Sequence, residues 1–172
     1  MEKIESGQYL VIADAGPIIH LHEISALEVL RDFNRVLITD KVWKEILKHC
    51  SPILEQLPID IVPNPAPEKL VEGLAKTYWL QSGEKTALSL ALQYQYAIFA
   101  TDDMAARLAA NQIGLRVHGT VGILLRSVRT GRFSQDTVRG FLQDIPRKSS
   151  LFIKKSLLDA AIDELKLNSD NN

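Results

Sequence analysis

The chain has 172 residues, of which 46% are hydrophobic and 24% charged, and its formal net charge is −1 at pH 7. These values are ordinary for one globular domain, and they exclude a disordered chain, a collagen-like repeat and a coiled-coil rod. The single cysteine, Cys50, excludes an intrachain disulfide and a multi-cysteine zinc site. With no signal-peptide pattern and no run of ~18 apolar residues, we expect a cytoplasmic protein without a membrane partner.

Five short apolar segments are predicted as strands, at residues 9–13, 35–39, 59–63, 97–101 and 115–119. Apolar residues at helical spacing lie between them, at residues 17–33, 40–50, 67–79, 84–96 and 104–112. This alternation indicates βαβ units and a parallel sheet. We therefore predict an α/β core over residues 1–130.

After the fifth strand the pattern is helical only, over residues 120–130, 134–145 and 150–166, with Gly131 and Pro146 between these segments. We predict that residues 131–172 form a helical C-terminal extension, which packs on the core within a single domain.

The charge is unevenly distributed along the chain. Residues 1–103 carry nine Lys or Arg against fifteen Asp or Glu, whereas residues 104–155 carry ten Lys or Arg against two Asp. A basic segment beside an acidic one is typical of a protein that binds a polyanion near a carboxylate site. The simpler explanation is a solvated surface held by salt bridges, and the charge pattern alone does not exclude it.

Carboxylates stand at the predicted ends of two strands, where open parallel sheets hold their sites. The first strand ends in Asp14, and the fourth is followed by Asp102 and Asp103. Neither end carries the glycine-rich loop of a P-loop or a dinucleotide-binding enzyme. Glu45 lies in the second predicted helix and Glu84 begins the fourth, so that both are candidates for the same edge of the sheet.

Acids that converge from several elements repel one another unless a divalent cation neutralises them or they take up protons. Carboxylate oxygens without thiolates suit Mg²⁺ or Mn²⁺. Each acid also has a structural interpretation: Asp14 and Asp102 as helix caps, Asp103 and Glu84 in favourable first turns, and Glu45 on the surface. The convergence of several acids on one edge favours the metal site.

The acidic segments resemble, in order, the motifs of a PIN domain: VIADAGPII, VWKEI, SGEKTALSLA and FATDDMAARLAA. The chain resembles the VapC-like toxin branch. It is most similar to a PIN-like subfamily whose chains read DASPLI, a Glu-containing helix, GE-x-x-A-x-x-LA, a DD or DE pair and GTxGxLL. The last motif stands here as Gly-Thr-Val-Gly-Ile-Leu-Leu at residues 119–125.

The resemblance implies a three-layer α/β/α sandwich with a parallel sheet of about five strands, and an acidic pocket that holds one or two Mg²⁺ or Mn²⁺ ions. The implied catalytic acids are Asp14, Glu45, Glu84 and one or both of Asp102 and Asp103. Asp14, Glu84 and the Asp102–Asp103 pair would be the metal ligands. The implied activity is endonucleolytic hydrolysis of RNA by metal-activated water, a step that needs no protein nucleophile.

The resemblance further implies the toxin of a type II toxin–antitoxin pair. Its partners would be RNA, a small antitoxin protein that inserts into the acidic pocket, and a second copy in a homodimer. Four residues are candidates for contacts with the RNA: Arg107, which could instead pair with Asp103, and Thr101, Arg116 and Arg126.

The chain departs from the resemblance at Gly16, where many relatives have Ser or Thr, so that a hydroxyl near the first acid is missing. The alternative is therefore a catalytically weak or inactive PIN-like module that binds RNA or protein. A receiver domain and a haloacid-dehalogenase phosphatase fit less well, because the third strand ends without Asp and the Asp14 motif lacks a second Asp. His20 and His22 lie two residues apart, which is a poor metal pair on a helix, and we assign them packing or surface roles.

Overall fold

The computed structural model describes residues 9–50 and 57–167. At its centre is a five-stranded sheet made of β1 (Leu10–Ala13), β2 (Arg35–Thr39), β3 (Ile59–Val62), β4 (Ile98–Ala100) and β5 (Arg116–His118). The spatial order is β3-β2-β1-β4-β5, and every neighbouring pair is parallel. The predicted α/β fold with a parallel sheet is confirmed, and all carboxyl ends of the strands meet at one edge.

Helices connect the strands and follow the last one. They are α1 (Ala15–Glu23), a 3-10 helix (Leu27–Asp32), α2 (Asp40–Ile46), α3 (Lys69–Tyr78), α4 (Ser82–Ala91), α5 (Met104–Gln112), α6 (Thr120–Arg129), α7 (Gln135–Lys148) and α8 (Lys155–Leu167). No helix within residues 9–50 and 57–167 is both long and apolar enough to cross a lipid bilayer.

Several helix boundaries differ from the sequence prediction. Helix α4 ends at Ala91 rather than at residue 96, and α8 begins at Lys155 rather than at residue 150. The segment 17–33 is divided into α1 and the 3-10 helix, because Ser25 between them has a positive φ of 58°. Helix α2 ends at Ile46, before the predicted end at Cys50. Pro146 lies inside the last turn of α7, which continues to Lys148 rather than ending before the proline.

The central strands are buried on both faces, which explains their continuous apolar sequence. All residues of β1 and β4 are buried, as are the last four of β2, and Val11, Ile12 and Phe99 have no exposed surface. The edge strands β3 and β5 are partly exposed. The sheet is therefore a rigid platform whose carboxyl edge holds side chains in fixed positions.

The C-terminal helices pack against α6 and against each other. Their buried residues join the same hydrophobic core as the sheet: Val138, Leu142 and Ile145 from α7, and Leu158, Ala161 and Leu165 from α8. The boundary at residue 130 stays a prediction, and the predicted end of the extension, residues 168–172, lies outside the described residues.

Two carboxylates of the N-terminal half tie the later helices to the core. Glu23 accepts hydrogen bonds from both the backbone N–H and the hydroxyl of Ser150 and from the hydroxyl of Ser149. Partial burial by itself would raise the pKa of Glu23, but these hydrogen bonds outweigh it and lower the pKa. Asp32 accepts from Thr130 Oγ1 at 2.7 Å and from Arg132 Nε at 3.1 Å.

We predict that Asp32→Ala lowers the free energy of unfolding by about 1–3 kcal/mol, because two donors lose a buried acceptor. The Asp32 side chain is only 4% exposed. Urea unfolding measures the loss. The matched control is Asp136→Ala, which breaks an exposed pair with Arg139 and should change stability by at most about 0.5 kcal/mol. Equal losses for the two variants would contradict the buried tie.

Candidate active site

Strands β1 and β4 bring Asp14 beside Thr101. Ala13 is in register with Ala100, and the backbone N–H of Asp14 donates to the Ala100 carbonyl at 2.9 Å. Thr101 Oγ1 then donates to Asp14 Oδ2 at 3.2 Å, and both residues are buried. Strand pairing therefore fixes the position of the first predicted acid.

Asp14 does not cap α1 with its side chain, although it occupies the N-cap position. Burial raises the pKa of Asp14 to about 7; the charges of Glu84 and Glu45 contribute to this rise, and hydrogen bonds from Ala15 and Thr101 oppose it. A buried carboxylate with two acidic neighbours is stabilised either by a proton or by a cation.

Helix α4 carries Glu84 in its first turn. Glu84 Oε2 accepts the backbone N–H of Gln81 at 2.7 Å and completes a capping box with that residue. Burial raises the pKa of Glu84, and the charges of Asp103 and Glu45 raise it further against this hydrogen bond. Glu84 is therefore a helix cap and a member of the acidic cluster at the same time.

Two contacts hold α4 against the end of β2 and against α2. Thr39 Oγ1 and Thr86 Oγ1 lie 3.0 Å apart in the buried interface. On α2, Glu45 is solvent-exposed, but its Oε2 faces Gly83, where an added Cβ would lie 3.1 Å from that oxygen. The small residue at position 83 therefore lets Glu45 approach the start of α4.

The adjacent residues Asp102 and Asp103 have different surroundings. Asp103 caps α5, since its Oδ1 accepts the Ala106 N–H at 2.8 Å, and its own N–H donates to Thr101 Oγ1. The structure thus assigns to Asp103 the cap that the sequence suggested for Asp102. Asp103 is exposed, and its charge acts on Glu84, so it faces the acidic cluster.

Asp102 is held by three hydrogen-bonding groups. Its Oδ1 accepts the backbone N–H of Thr120 at 2.8 Å, and its Oδ2 accepts Thr120 Oγ1 at 2.5 Å. The same Oδ2 lies 2.8 Å from His20 Nδ1. Both oxygens of Asp102 are therefore occupied, whereas those of Asp14 have one side-chain partner, Thr101.

His20 and Thr120 are the site residues that sequence reasoning missed. The signal for Thr120 is the GTxGxLL motif, which contains it. No local signal exists for His20, because its partner lies 82 residues away along the chain. At Gly16, an added Cβ would make ordinary contacts of 3.6 Å with His20 Cε1 and 3.8 Å with Asp102 Cβ, so a serine has room there.

The predicted RNA-contacting residues have specific partners in the structure. Thr101 is fully buried, and its hydroxyl contacts Asp14 and the Asp103 N–H. Arg107 Nη2 donates to the Thr101 carbonyl at 3.2 Å, and Arg107 forms no ion pair with Asp103. Arg116 is exposed at the start of β5.

Arg126 lies over an aromatic ring rather than in open solvent. Its guanidinium carbon is 3.9 Å from the ring centre of Tyr9 and 5.4 Å from that of Phe33. Its Nε and Nη2 are inaccessible to solvent and have no hydrogen-bond partner within the described residues. The direct contact with RNA expected of Arg126 stays a prediction, and in this conformation only part of the guanidinium is available for it.

Much of the basic segment is neutralised by internal ion pairs. The pairs are Arg129–Glu164, Arg132–Asp32, Arg139–Asp136, Arg147–Asp144, Lys148–Asp144 and Lys155–Asp159. The salt-bridged surface that the sequence left open therefore explains this part of the charge asymmetry.

A different cationic surface lies beside Glu45. A groove of about 470 Å³, which we call the lysine groove, is bounded by α2, residue 64 and the start of α4, and its basic lining residues are Lys41, Lys44, Lys48 and His49. None of these four is ion-paired to another described residue. By contrast, Lys148 of α7 and Lys155 and Lys166 of α8 each form an ion pair. Sequence reasoning missed this surface because it belongs to the acidic half of the chain.

Within residues 9–50 and 57–167, no three His, Cys, Asp or Glu side chains form a ready-made group for a metal ion. What the structure does bring together is an electrostatically coupled set, in which Glu84 and Glu45 act on Asp14 while Asp103 and Glu45 act on Glu84. Asp102 lies beside this set with its oxygens occupied.

A family model described as a PIN domain matches residues 10–167, which include all five strands and the helices through α8. No curated protein and no solved structure matches the chain significantly.

We predict that metal-free protein becomes less stable relative to Asp14→Asn as the pH rises. Because the pKa of Asp14 is about 7 in the folded state and 3.8 ordinarily, folding retains a proton that the unfolded chain loses between these values. Stability from this group is full below pH 4 and is lost as the pH rises through 7. In urea unfolding with EDTA, the free energy of unfolding of Asp14→Asn minus that of the unsubstituted protein should increase by about 2 kcal/mol between pH 5.5 and 8.

The control for this pH dependence is Asp136→Asn, which changes a carboxylate that is 87% exposed. Its stability should follow that of the unsubstituted protein at both pH values. If the difference in unfolding free energy between Asp14→Asn and the unsubstituted protein is the same at both pH values, Asp14 does not hold a proton in the folded state.

We predict that Gly119→Ala destabilises the fold by about 1–3 kcal/mol through overpacking. An added Cβ would lie 2.6 Å from both Arg107 Nη2 and Asp102 Oδ1, and the hydrogen bonds of Asp102 resist its displacement. Gly140→Ala is the matched control, because nothing lies within 4 Å of its Cβ and alanine favours helix α7 by about 1 kcal/mol. Thermal unfolding should move in opposite directions for the two variants, and a shift in the same direction would contradict the close contact.

Proposed function

The chain belongs to the PIN-domain family, and we propose that it is a metal-dependent endoribonuclease that hydrolyses RNA phosphodiester bonds. Members of this family are typically nucleases, and they generally use divalent metals. The observation that carries the proposal is the buried Asp14 carboxylate, whose pKa is raised by burial and by the charges of Glu84 and Glu45. Acids with strongly perturbed pKa values cluster at functional sites, and a bound cation would relieve the repulsion among these carboxylates.

The available donors fit a hard divalent cation. They are all carboxylate oxygens, which Mg²⁺ and Mn²⁺ prefer, and no thiolate is near them that would select a softer metal. Asp14 accepts hydrogen bonds from the Thr101 hydroxyl and the Ala15 backbone, and a carboxylate with two donors retains lone pairs for an ion. We assign Asp14, Glu84 and Asp103 as the residues that would hold the ion or ions, with Glu45 at the edge of the set.

The remaining polar residues have positioning roles in this proposal. Thr101 orients Asp14 and Asp103, since its hydroxyl contacts both. Asp102 links α1 to α6 through His20 and Thr120, and it thereby keeps the two sides of the site together. We therefore favour Asp103 over Asp102 as a ligand, because both oxygens of Asp102 already accept hydrogen bonds.

When bound, the ion would supply an activated water and stabilise the leaving oxygen. The protein contributes a fixed array of carboxylates that a bound cation makes favourable, and it needs no side-chain nucleophile. Protons taken up by Asp14 at low pH would compete with the ion, so activity should rise with pH through about 7, the pKa of Asp14.

The lysine groove offers a path for the RNA backbone. Its lysines are Lys41 and Lys44 on α2 and Lys48 just after that helix, and the groove is also lined by Glu45 and Gly83 beside the acidic cluster. A strand that enters along these lysines would bring a phosphate to the carboxylates. This arrangement supports a polyanionic substrate, because carboxylates alone would repel one.

A toxin role is the finer part of the proposal, and it is supported by the resemblance to the VapC-like branch. Under this role, expression of the chain without an antitoxin should arrest growth, and Asp14→Asn should relieve the arrest. Growth arrest that persists with the variant would contradict nuclease toxicity. A small antitoxin and a homodimer remain predictions of the same resemblance.

We predict that a labelled RNA pool is cleaved with Mg²⁺ or Mn²⁺ and not with EDTA, and that Asp14→Asn or Glu84→Gln lowers the rate about 100- to 1000-fold. Gel analysis of the fragments measures the rate, and Asp136→Asn is the control that should cleave normally. Cleavage that survives EDTA and Asp14→Asn would overturn the proposal. A folded protein that binds the pool without cleaving it would instead support the weak or inactive binding module, and Gly16→Ser would then be tested for restored activity.

We predict that replacing Lys41, Lys44 and Lys48 together by alanine weakens RNA binding and makes it less sensitive to salt. If each lysine contacts one phosphate, the slope of log K against log salt should fall in magnitude by about 2 for a single strand. The matched control replaces Lys148, Lys155 and Lys166, which are ion-paired on α7 and α8. Fluorescence anisotropy at several salt concentrations measures both variants, and equal slopes for the two would exclude the lysine groove as the path.

A further inference from the structure

A second groove borders the acidic cluster on the side of Asp102. It has a volume of about 570 Å³ and lies between α5, β5, the first turns of α6 and residues 151–157; we call it the apolar groove. Its walls are mainly aliphatic, with Val121 and Leu125 on one side and Ile153 on the other. This volume is in the range of pockets that take small organic groups.

The rim of the apolar groove carries exposed apolar side chains. Phe152 is 90% exposed, Met104 66% and Leu157 59%, and all three line the groove. Phe152 lies in the segment between α7 and α8, where no helix or strand constrains its ring. An aromatic ring held in solvent beside an aliphatic cleft can stack on a flat partner.

The charged groups of the groove favour an anionic partner. Arg107 and Lys154 line it, and among the described residues the Arg107 side chain has a single hydrogen-bond partner, the Thr101 carbonyl, which leaves most of its donors available. Asp102 is the one carboxylate in the lining, and its oxygens already accept from Thr120. The groove therefore combines apolar walls with two cations and one carboxylate that already accepts hydrogen bonds. Such a groove can bind a flat group with apolar faces that is joined to a phosphate.

His118 supplies a polar group inside the cleft. Its half-buried ring has no hydrogen-bond partner within the described residues, and burial together with the charges of Arg116, Arg126, Arg129 and Arg107 lowers its pKa. A neutral imidazole can both donate and accept a hydrogen bond.

Gly122 keeps the His118 ring accessible. An added Cβ at Gly122 would lie 3.1 Å from His118 Nδ1. Glycine inside α6 lowers helix stability by about 1 kcal/mol relative to alanine, so its presence has a local disadvantage. In return, the glycine leaves open space beside Nδ1 of His118.

From these observations we propose that the apolar groove binds one unpaired base of the RNA strand, next to the phosphate that faces the carboxylates. The inference rests on the proposed function, because the strand is that function's substrate. The base would stack against Phe152 and the aliphatic wall, its edge would meet His118, and its phosphate would meet Arg107 or Lys154. A base that is paired in a duplex could not enter this groove.

A protein segment is the competing occupant of this groove. It would also use the aliphatic wall and Phe152, but it would not need the cations and the open imidazole. The groove is also lined by Asp102, which is adjacent in sequence to Asp103 of the acidic cluster, so a strand that crosses the carboxylates can continue into the groove. Charge complementarity and this continuity favour the base.

The test compares two 12-nucleotide strands in EDTA, where cleavage is not required. One is a random-sequence RNA pool, and the other is a fully abasic ribose-phosphate strand of equal charge. The proteins are the unsubstituted chain, Phe152→Ala and Trp79→Ala. Trp79 is a matched control, because it is 89% exposed and does not line the groove.

We expect Phe152→Ala to bind the RNA pool about tenfold more weakly and the abasic strand with unchanged affinity, and Trp79→Ala to bind both normally. Gly122→Ala, which crowds His118, should repeat the pattern more weakly. Anisotropy measures the affinities. A loss that is equal for both strands, no loss, or no binding of RNA overturns the base site.

Two further readouts separate the possible failures. If Phe152→Ala changes the sedimentation of the protein and not its preference for bases, the groove takes a protein surface and the inference is wrong. Cleavage of the pool with Mn²⁺ is scored independently. Base-dependent binding without cleavage would support the base site and contradict the nuclease proposal. Cleavage without base-dependent binding would support the nuclease proposal and contradict the base site.

Discussion

The pairing of β1 with β4 forces a carboxylate into the protein interior. Asp14 donates its N–H to Ala100, and its side chain is then buried beside Thr101. The resulting burial raises the pKa of Asp14, and the free energy held in that unfavourable environment is available to whatever neutralises it. The other features of the edge are arranged around this constraint, with Thr101 donating to the carboxylate and Glu84 and Glu45 adding to its repulsion.

The helices that follow the strands decide which acids join this centre. The cap of α5 turns Asp103 toward Glu84, while the start of α6 draws Asp102 away through Thr120. Two residues that are adjacent in sequence therefore serve different purposes. One extends the acidic cluster, and the other joins α1 to α6 through His20, so that the edge stays rigid where chemistry is proposed.

The two grooves define the proposed path of an RNA strand across the carboxyl edge of the sheet. The lysine groove lies beside α2 and is lined by lysine side chains. The apolar groove lies beside Arg107 and has an aliphatic wall. A strand with charged phosphates and flat bases needs both kinds of surface, since electrostatics attracts its backbone and stacking holds its bases. The arginines beyond α5 contribute less to this path than their number suggests, because pairs such as Arg132–Asp32 use their charge to hold helices together.

Local patterns in the sequence were enough to predict the five strands, most of the helices and the sheet edge where Asp14 and Asp103 both contact Thr101, because hydrophobic periodicity and strand ends are local properties. The same patterns could not predict that His20 contacts Asp102 or that Arg126 lies over Tyr9. Those contacts join residues that are far apart in the chain. Their distances depend on how each helix packs on the sheet, and only the tertiary structure determines that packing.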